Sequence, residues 1–387
     1  MDTATTTSPT VNPPAVTSPA ATAASPDARV VADRFAALGS AADEAAANAL
    51  SVNTRRSYLS DVNRWVDWCH HHQTEPFPVD PDLLRLYVTD LALTGALKTV
   101  SISRAVSAIS YANHRAGFEG RLGHHPRVAP VLRGVRRARQ EPRQPRDPLL
   151  RDDVTALVTA MDHTTWPAGV LAARDTFAFW LGFAAAMRRS EVAALRVGDV
   201  TGHRLDGIHI RVTRSKADQG GAGALLAVPY GRNPVTCAPC AWVRWTRLLD
   251  ASRREGRPAM MRLILGTGHP DQWTHVCGDP APLPLFDTPD AALFPRCGRH
   301  GLISDTPVDG GALNAAVQRR VAAAGLNLHA NYGFHSLRAG FVTQARRNQA
   351  SAREVRRQTR HGSDAMVDVY DRDHDPLRDN AVTRLGL

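Results

Sequence analysis

At 387 residues the chain is long enough for two domains that each bury a core. Its 47 Lys and Arg against 37 Asp and Glu leave a net charge of +10, which favours an anionic partner, with nucleic acid first among them. Five cysteines, too few and too irregular for a disulfide framework, suit a reducing interior; no apolar run reaches membrane-spanning length, and the first residues lack the charged and apolar blocks of a secretory signal.

Residues 1–45 are mostly Ala, Thr, Ser and Pro. Such a segment buries too little apolar surface to offset its ordering entropy, so the composition predicts a disordered tail. From Thr54, placed as a cap, Leu59, Val62, Trp65, Val66 and Cys69 recur at helical spacing. The run His70-His71-His72 ends that helix; neighbours in sequence do not share a helix face, so it reads as a solvated terminus rather than a metal site. Asp80-Pro81 opens a second helix through Leu83, Leu84, Leu86, Tyr87 and Leu91, stopped by Gly95. A third, over about 98–116, buries Ile102, Ala105, Val106, Ile109 and Ala112 and leaves Lys98, Thr99, Ser101 and Arg104 near its N-terminus. Hydroxyls beside cations at a helix start suit phosphate and major-groove contacts. A fourth helix near 129–139 completes an all-helical domain over 46–140. Residues 133–146, RGVRRARQEPRQPR, carry six arginines and end in prolines, marking a domain linker over 141–147. Arg136, Arg137 and Arg139 there can track a phosphate backbone by counterion release.

The second domain spans 148–387. Helices are predicted near 151–161 and 168–186, the latter a core helix by its run Phe177, Phe179, Trp180, Leu181 and Phe183. It leads into MRRSEVAALRVGDV, where Arg188 and Glu191 stand three apart. Ile208, Ile210 and Val212 alternate, pass through a Gly-rich turn and give way to Leu225, Leu226 and Val228, a β-hairpin pattern. Lysine occurs only at Lys98 and Lys216, and Lys216 lies where the first strand meets that turn. A helix carrying Trp242, Trp245, Leu248 and Leu249 follows, after which 256–309 offers few regular patterns. Cys237, Cys240, Cys277 and Cys297 would supply a four-cysteine zinc site. The last two lack short spacing and the first two suit a helix start, so neither a metal nor a cofactor is assigned. Helices resume near 311–324, from His335, and near 376–385.

Residues 335–370, HSLRAGFVTQARRNQASAREVRRQTRHGSDAMVDVY, concentrate the chemistry. His335 and Arg338, nearly one turn apart, share a helix face and can hold one phosphate, the guanidinium through a two-donor fork and the imidazole through one donor. His361 precedes Tyr370 by nine residues. A phenol needs surrounding positive charge to attack at neutral pH, which this arginine-rich stretch supplies.

At Arg188-Arg189-Ser190-Glu191, Ser215-Lys216, His335-Ser336-Leu337-Arg338 and His361 to Tyr370, taken in this order, the chain resembles the tyrosine recombinases, the phage integrase family that includes Cre. The layout matches over about 46–387. The resemblance implies a mainly α, two-domain DNA clamp: a helical core-binding domain and a mostly helical catalytic domain with a small β-sheet. By position, Arg188 and Arg338 would bind the nonbridging oxygens of the scissile phosphate, with His335 and His361 adding hydrogen bonds. Lys216 would be general acid to the leaving 5′ oxygen, Tyr370 the nucleophile that forms a 3′-phosphotyrosyl bond, and Glu191 a buttress behind the site. Duplex DNA and further copies of the chain, four on two sites, are the implied partners, in the cytoplasm at the nucleoid. Two other readings stay open, a type IB topoisomerase-like enzyme and a non-catalytic DNA-binding protein of the same fold. The 256–309 stretch departs from the family by its length.

Overall fold

The computed structural model describes residues 33–42, 45, 49–141, 145–213, 223–266, 272–278, 287–327, 329–365 and 381–385. They divide into two compact units, within residues 1–143 and 144–387.

Among the described residues the packed core of the first unit is built from α1 (Val52–His71), α2 (Pro81–Leu93), α3 (Thr99–Arg115) and α4 (Ala129–Arg139). Ser51, rather than Thr54, caps α1, its hydroxyl accepting from the Thr54 amide at 3.2 Å. Asp80 caps α2 by accepting from the Asp82 amide at 2.8 Å, with Pro81 in the first position, where its missing N–H costs nothing. The apolar stripes of α1, α2 and α3 meet around Trp65, Leu84, Tyr87, Ile102 and Ile109, all fully buried. Tyr87 meets Trp65 edge-on with centroids 5.2 Å apart, and the Trp65 indole donates to the Pro76 carbonyl at 3.0 Å. Residues 33–42 correct the tail expectation: they are helical with every side chain exposed. Alanine-rich chain has helix propensity even where it has little to bury. Residues 1–32 of that predicted tail lie outside the described residues.

The second unit is arranged around α6 (Ala168–Phe183), which follows α5 (Arg151–Thr159) and is apolar on almost every face. Such a helix is stable only if surrounded, and Val170, Phe177, Phe179 and Leu181 are fully buried. Against it pack α8 (Ala238–Arg254) and α11 (Phe334–Arg347). The Trp180 indole donates to the Val235 carbonyl at 2.9 Å and that of Trp245 to Leu293 at 2.7 Å, so both aromatics are buried without orphaned donors. Two glycines set α11. A Cβ on Gly182 would sit 2.7 Å from Leu337 Cδ1, and one on Gly340 only 1.7 Å from the Leu149 carbonyl oxygen, so the Leu337 side chain of α11 rests on bare α6 backbone and α11 itself passes backbone to backbone against Leu149.

A three-stranded antiparallel sheet, order β1-β2-β3, comprises β1 (Val200–His203), β2 (Gly207–Val212) and β3 (Ala224–Val228). The predicted hairpin pairs Ile208 with Val228, Ile210 with Leu226 and Val212 with Ala224. Strand β1 had no sequence signal because only Val200 of its four residues turns inward. Short α7 (Arg189–Ala194) precedes it. The patternless stretch contains α9 (Arg257–Leu265) and a two-stranded ladder, β4 (Pro295–Cys297) with β5 (Ile303–Pro307). Leu293 and Phe294 anchor it, Phe294 lying 5.4 Å from the Phe177 ring. Then come α10 (Gly310–Ala323), α11 and α12 (Ala352–Thr359). Of the helix predicted near 376–385, residues 376–380 lie outside the described residues; Ala381–Arg384 form a 3₁₀ turn.

Candidate active site

Leaving α6, the backbone turns sharply through Ala186, at φ 48°, and delivers Arg188 to the cap position of α7. Glu191, three residues on, folds back over it. One carboxylate oxygen accepts from the Arg188 amide at 2.8 Å and the other from its guanidinium at 2.7 Å. A third donor arrives from the far end of the unit, where Arg360 Nη2 lies 2.7 Å from Glu191 Oε2. Burial alone would raise the pKa of Glu191; the Arg360 charge and the hydrogen bonds from Arg188 outweigh it and hold this carboxyl below the usual range.

One turn apart at the start of α11, His335 is exposed and Arg338 is 1% exposed. Arg338 donates from Nη1 to the Ala186 carbonyl and from Nη2 to the Thr359 carbonyl, each at 2.5 Å. One guanidinium therefore joins α11, the turn before α7 and the end of α12. Both acceptors are neutral, so they orient the charge without cancelling it.

Helix α12 begins with a capping box, Ser51's counterpart here being Ser351, whose hydroxyl accepts from the Glu354 amide while Glu354 accepts from the Ser351 amide. It ends at Arg360, left-handed at φ 58°, a conformation that turns the chain so that His361 points back into the unit. The Thr359 hydroxyl gives its proton to the Val355 carbonyl at 2.8 Å and lies 3.1 Å from His361 Nδ1. With that proton committed, the hydroxyl accepts from Nδ1–H and Nε2 keeps its lone pair. Burial, reinforced by the charges of Arg338, Arg188, His335 and Arg356, pushes the His361 pKa down to about 3. The same four charges show that the structure brings Arg188, His335, Arg338 and His361 into one neighbourhood.

A neutral imidazole among fixed cations is a site prepared for an anion. Guanidinium groups favour one with two oxygens to offer, a carboxylate or a phosphate.

Residues 45–112 match the model of the phage integrase N-terminal SAM-like domain. An integrase/recombinase xerD homolog of Selenomonas ruminantium is 29% identical over 337 residues, which is 86% of this chain and 85% of that protein. The chain is a tyrosine recombinase of the phage integrase family. Its fold is similar to that of the Tn1549 transposon integrase solved with transposon right end DNA: TM-score 0.52, 13% identity, over 83% of this chain and 89% of the other. A lambda integrase dimer bound to a COC′ core site superposes with TM-score 0.49 at 15% identity, over 87% and 95% of the two chains.

In this recombinase the two remaining catalytic candidates, Lys216 and Tyr370, lie outside the described residues. The DNA-binding candidates of the first unit separate into two groups. Lys98, Arg136 and Arg137 are exposed, with Arg136 donating to Ser103 Oγ at 3.1 Å, and Ser101 is half-buried. The others are engaged by their own unit. Arg104 places its fork on the buried Asp61 at 2.8 and 3.2 Å. Arg139 donates to the Leu97 carbonyl at 2.6 Å and pairs with Glu141 at 2.9 Å. The Thr99 amide, which a phosphate would use at a helix start, is taken by Glu141 at 2.8 Å. Among the described residues no helix is long and apolar enough to cross a membrane.

Sequence reasoning missed three residues that hold the candidate site together. Thr359 joins Arg338 to His361 through its carbonyl and hydroxyl, and Arg360 reaches Glu191. Gln358 donates to the carbonyls of Ala184 at 2.9 Å and Ala227 at 3.3 Å. Their one sequence signal was adjacency to His361.

Proposed function

We propose that this recombinase is a site-specific DNA recombinase or integrase that cuts and rejoins duplex DNA through a 3′-phosphotyrosyl intermediate, with neither metal nor ATP in the reaction. The observation that supports it most is the buried Arg338, oriented by two carbonyls beside an Arg188 that Glu191 holds in place.

In this reading Arg188 and Arg338 bind the two nonbridging oxygens of the scissile phosphate, and His335 adds a donor from the exposed side. Tyr370 Oη attacks phosphorus and the 5′ oxygen departs, taking a proton from Lys216. Once the anionic phosphate is bound, its charge offsets the cations that keep the His361 ring neutral; the Nε2 lone pair then receives the phenol proton, and the charged ring donates to a nonbridging oxygen. Fixed donors aimed at a phosphorane are worth about 2.7–4 kcal/mol each where comparable oxyanion donors have been removed. Two permanently charged arginines fill the electrostatic role of a divalent ion. The phosphotyrosyl ester keeps the energy of the broken diester, so rejoining needs no nucleotide.

The partners in this proposal are duplex DNA, gripped partly through Lys98, Ser101, Arg136 and Arg137, and further copies of the chain, four on two sites, in the cytoplasm at the nucleoid. A nicked duplex carrying the chain's own crossover site, selected from random DNA by binding, tests it on a denaturing gel. A covalent band with the native chain and none with Tyr370→Phe supports the reading. Supercoil relaxation without exchange between two sites would mean a topoisomerase, and binding with no covalent band a DNA-binding protein.

A further inference from the structure

Four ligand-type side chains of the second unit converge, three of them cysteines from the four-cysteine set that the sequence offered. Cys237 and Cys240 flank the start of α8; His275 and Cys277 come from the stretch without regular pattern. The three sulfurs and the imidazole nitrogen all lie within 4.8 Å of one another. Cys237 Sγ is 3.8 Å from Cys277 Sγ, and His275 Nδ1 is 3.3 Å from Cys240 Sγ and 3.8 Å from Cys277 Sγ. Tetrahedral zinc, with bonds of about 2.3 Å to sulfur and about 2.0–2.1 Å to nitrogen, requires roughly 3.8 Å between sulfurs and roughly 3.6 Å between sulfur and nitrogen. The observed spacings bracket those values.

The surroundings are also those of a metal site. His275 Nε2 lies 3.2 Å from the Arg232 carbonyl, which can only accept, so Nε2 carries the ring proton and Nδ1 turns its lone pair toward the sulfurs. Backbone amides support two of the sulfurs, Gly231 N–H donating to Cys237 Sγ at 3.3 Å and Val276 N–H to Cys240 Sγ at 3.4 Å. Such donors stabilise thiolates. A Cβ on Gly231 would lie 2.9 Å from Cys237 Cα, so only glycine lets this amide come so close. Cys237 and Cys240 are fully buried, and all the cysteines are free thiols.

We propose that Cys237, Cys240, His275 and Cys277 bind one zinc ion that holds the segment around 272–278 to the start of α8. Four protein ligands leave no open position, so the ion is structural and takes no part in strand cleavage. The site differs from the four-cysteine set drawn from the sequence: Cys297 is in β4, where its thiol faces Arg174, and His275 stands in its place. What the ion adds is a cross-link for a stretch with little apolar patterning of its own. Its neighbours there include Val276, and Thr274, whose carbonyl accepts from Arg244 at 2.5 Å.

The test is metal analysis of the full-length chain purified under reducing conditions without chelator. About one zinc per chain is expected, released by a mercurial that titrates the thiols, and cobalt exchanged into the site should show the intense visible bands of tetrahedral thiolate coordination. Cys240→Ser should lose the metal, whereas His275→Cys, which keeps a ligand, and Cys297→Ser, outside the set, should retain the full equivalent. Native chain that holds no zinc as isolated and takes up no cobalt overturns the proposal. So does full metal content in Cys240→Ser, loss of metal in Cys297→Ser, or a Cys237–Cys277 disulfide found by mass spectrometry in the chain as purified.

Discussion

Arg360 Nη2 sits 2.7 Å from Glu191 Oε2, so a residue at the end of α12 and one at the start of α7, 169 positions apart, meet in the interior. Among the described residues the two remaining nitrogens of that guanidinium, Nε and Nη1, are buried and have no hydrogen-bond partner. The carboxylate that Arg360 meets also positions Arg188.

Removing that carboxylate strands two arginines. Glu191→Ala should cost about 3–5 kcal/mol of stability, the range for breaking a buried pair from one side, measured by denaturant unfolding at neutral pH. Glu191→Gln should cost less and should also change the acid limb. The folded pKa of Glu191 lies below its unfolded value, so its contribution is present above the unfolded pKa and is lost as pH falls through the folded one. The Gln variant should lack that part of the acid decline. An acid limb identical to that of the native chain would contradict the role assigned to Glu191.

His361 carries a second pH dependence. Its pKa falls from about 6.5 when unfolded to about 3 in the folded unit, because burial and the charges of Arg338, Arg188, His335 and Arg356 oppose protonation. Stability linked to this ring is therefore full above pH 6.5 and declines as pH drops toward 3, where the unfolded chain takes up a proton that the folded one refuses. Nitrogen chemical shifts of labelled histidine should show a neutral Nδ1–H tautomer at pH 5; a midpoint near 6.5 or the opposite tautomer would contradict the geometry. Thr359→Val, which orphans Nδ1–H, should lose about 1–3 kcal/mol, and Thr359→Ser should regain most of it.

The DNA-binding candidates divide by what already holds them. Arg137→Ala and Lys98→Ala should weaken binding to every duplex alike, each lowering the salt slope of log K by about 0.9 if it contacts one phosphate. Arg104→Ala should instead lower stability, because the buried Asp61 loses its fork. Fluorescence anisotropy across a salt series, with melts of each variant, separates the two outcomes; equal salt slopes for all three variants and the native chain would contradict the division.

Much of this was legible in the sequence for definite reasons. The helices of the first unit have apolar stripes, the first two with side-chain caps as well, and α6 has an unmistakable apolar run. Arg188, Glu191, His335, Arg338 and His361 were proposed from spacing together with family resemblance, and the structure brings them near one another. What was not legible depends on contacts made at long range. Strand β1 and the β4–β5 ladder bury too few residues to alternate, and α9 is a nine-residue helix entered through Gly256 at φ 75° and Pro258. Arg360 became a site residue because a non-glycine accepts a left-handed backbone there, which no local pattern announces. His275 escaped because a lone histidine has no spacing to read, whereas Cys297 was grouped with the other cysteines by residue type alone.

The most direct test of the central claim is to locate the covalent bond. After reaction with the nicked crossover site, nuclease and trypsin digestion should leave the 361–372 peptide heavier by a 3′-linked deoxynucleotide, with fragmentation placing the adduct on Tyr370. An adduct on any other residue, or full-speed strand exchange by Tyr370→Phe, would contradict the account.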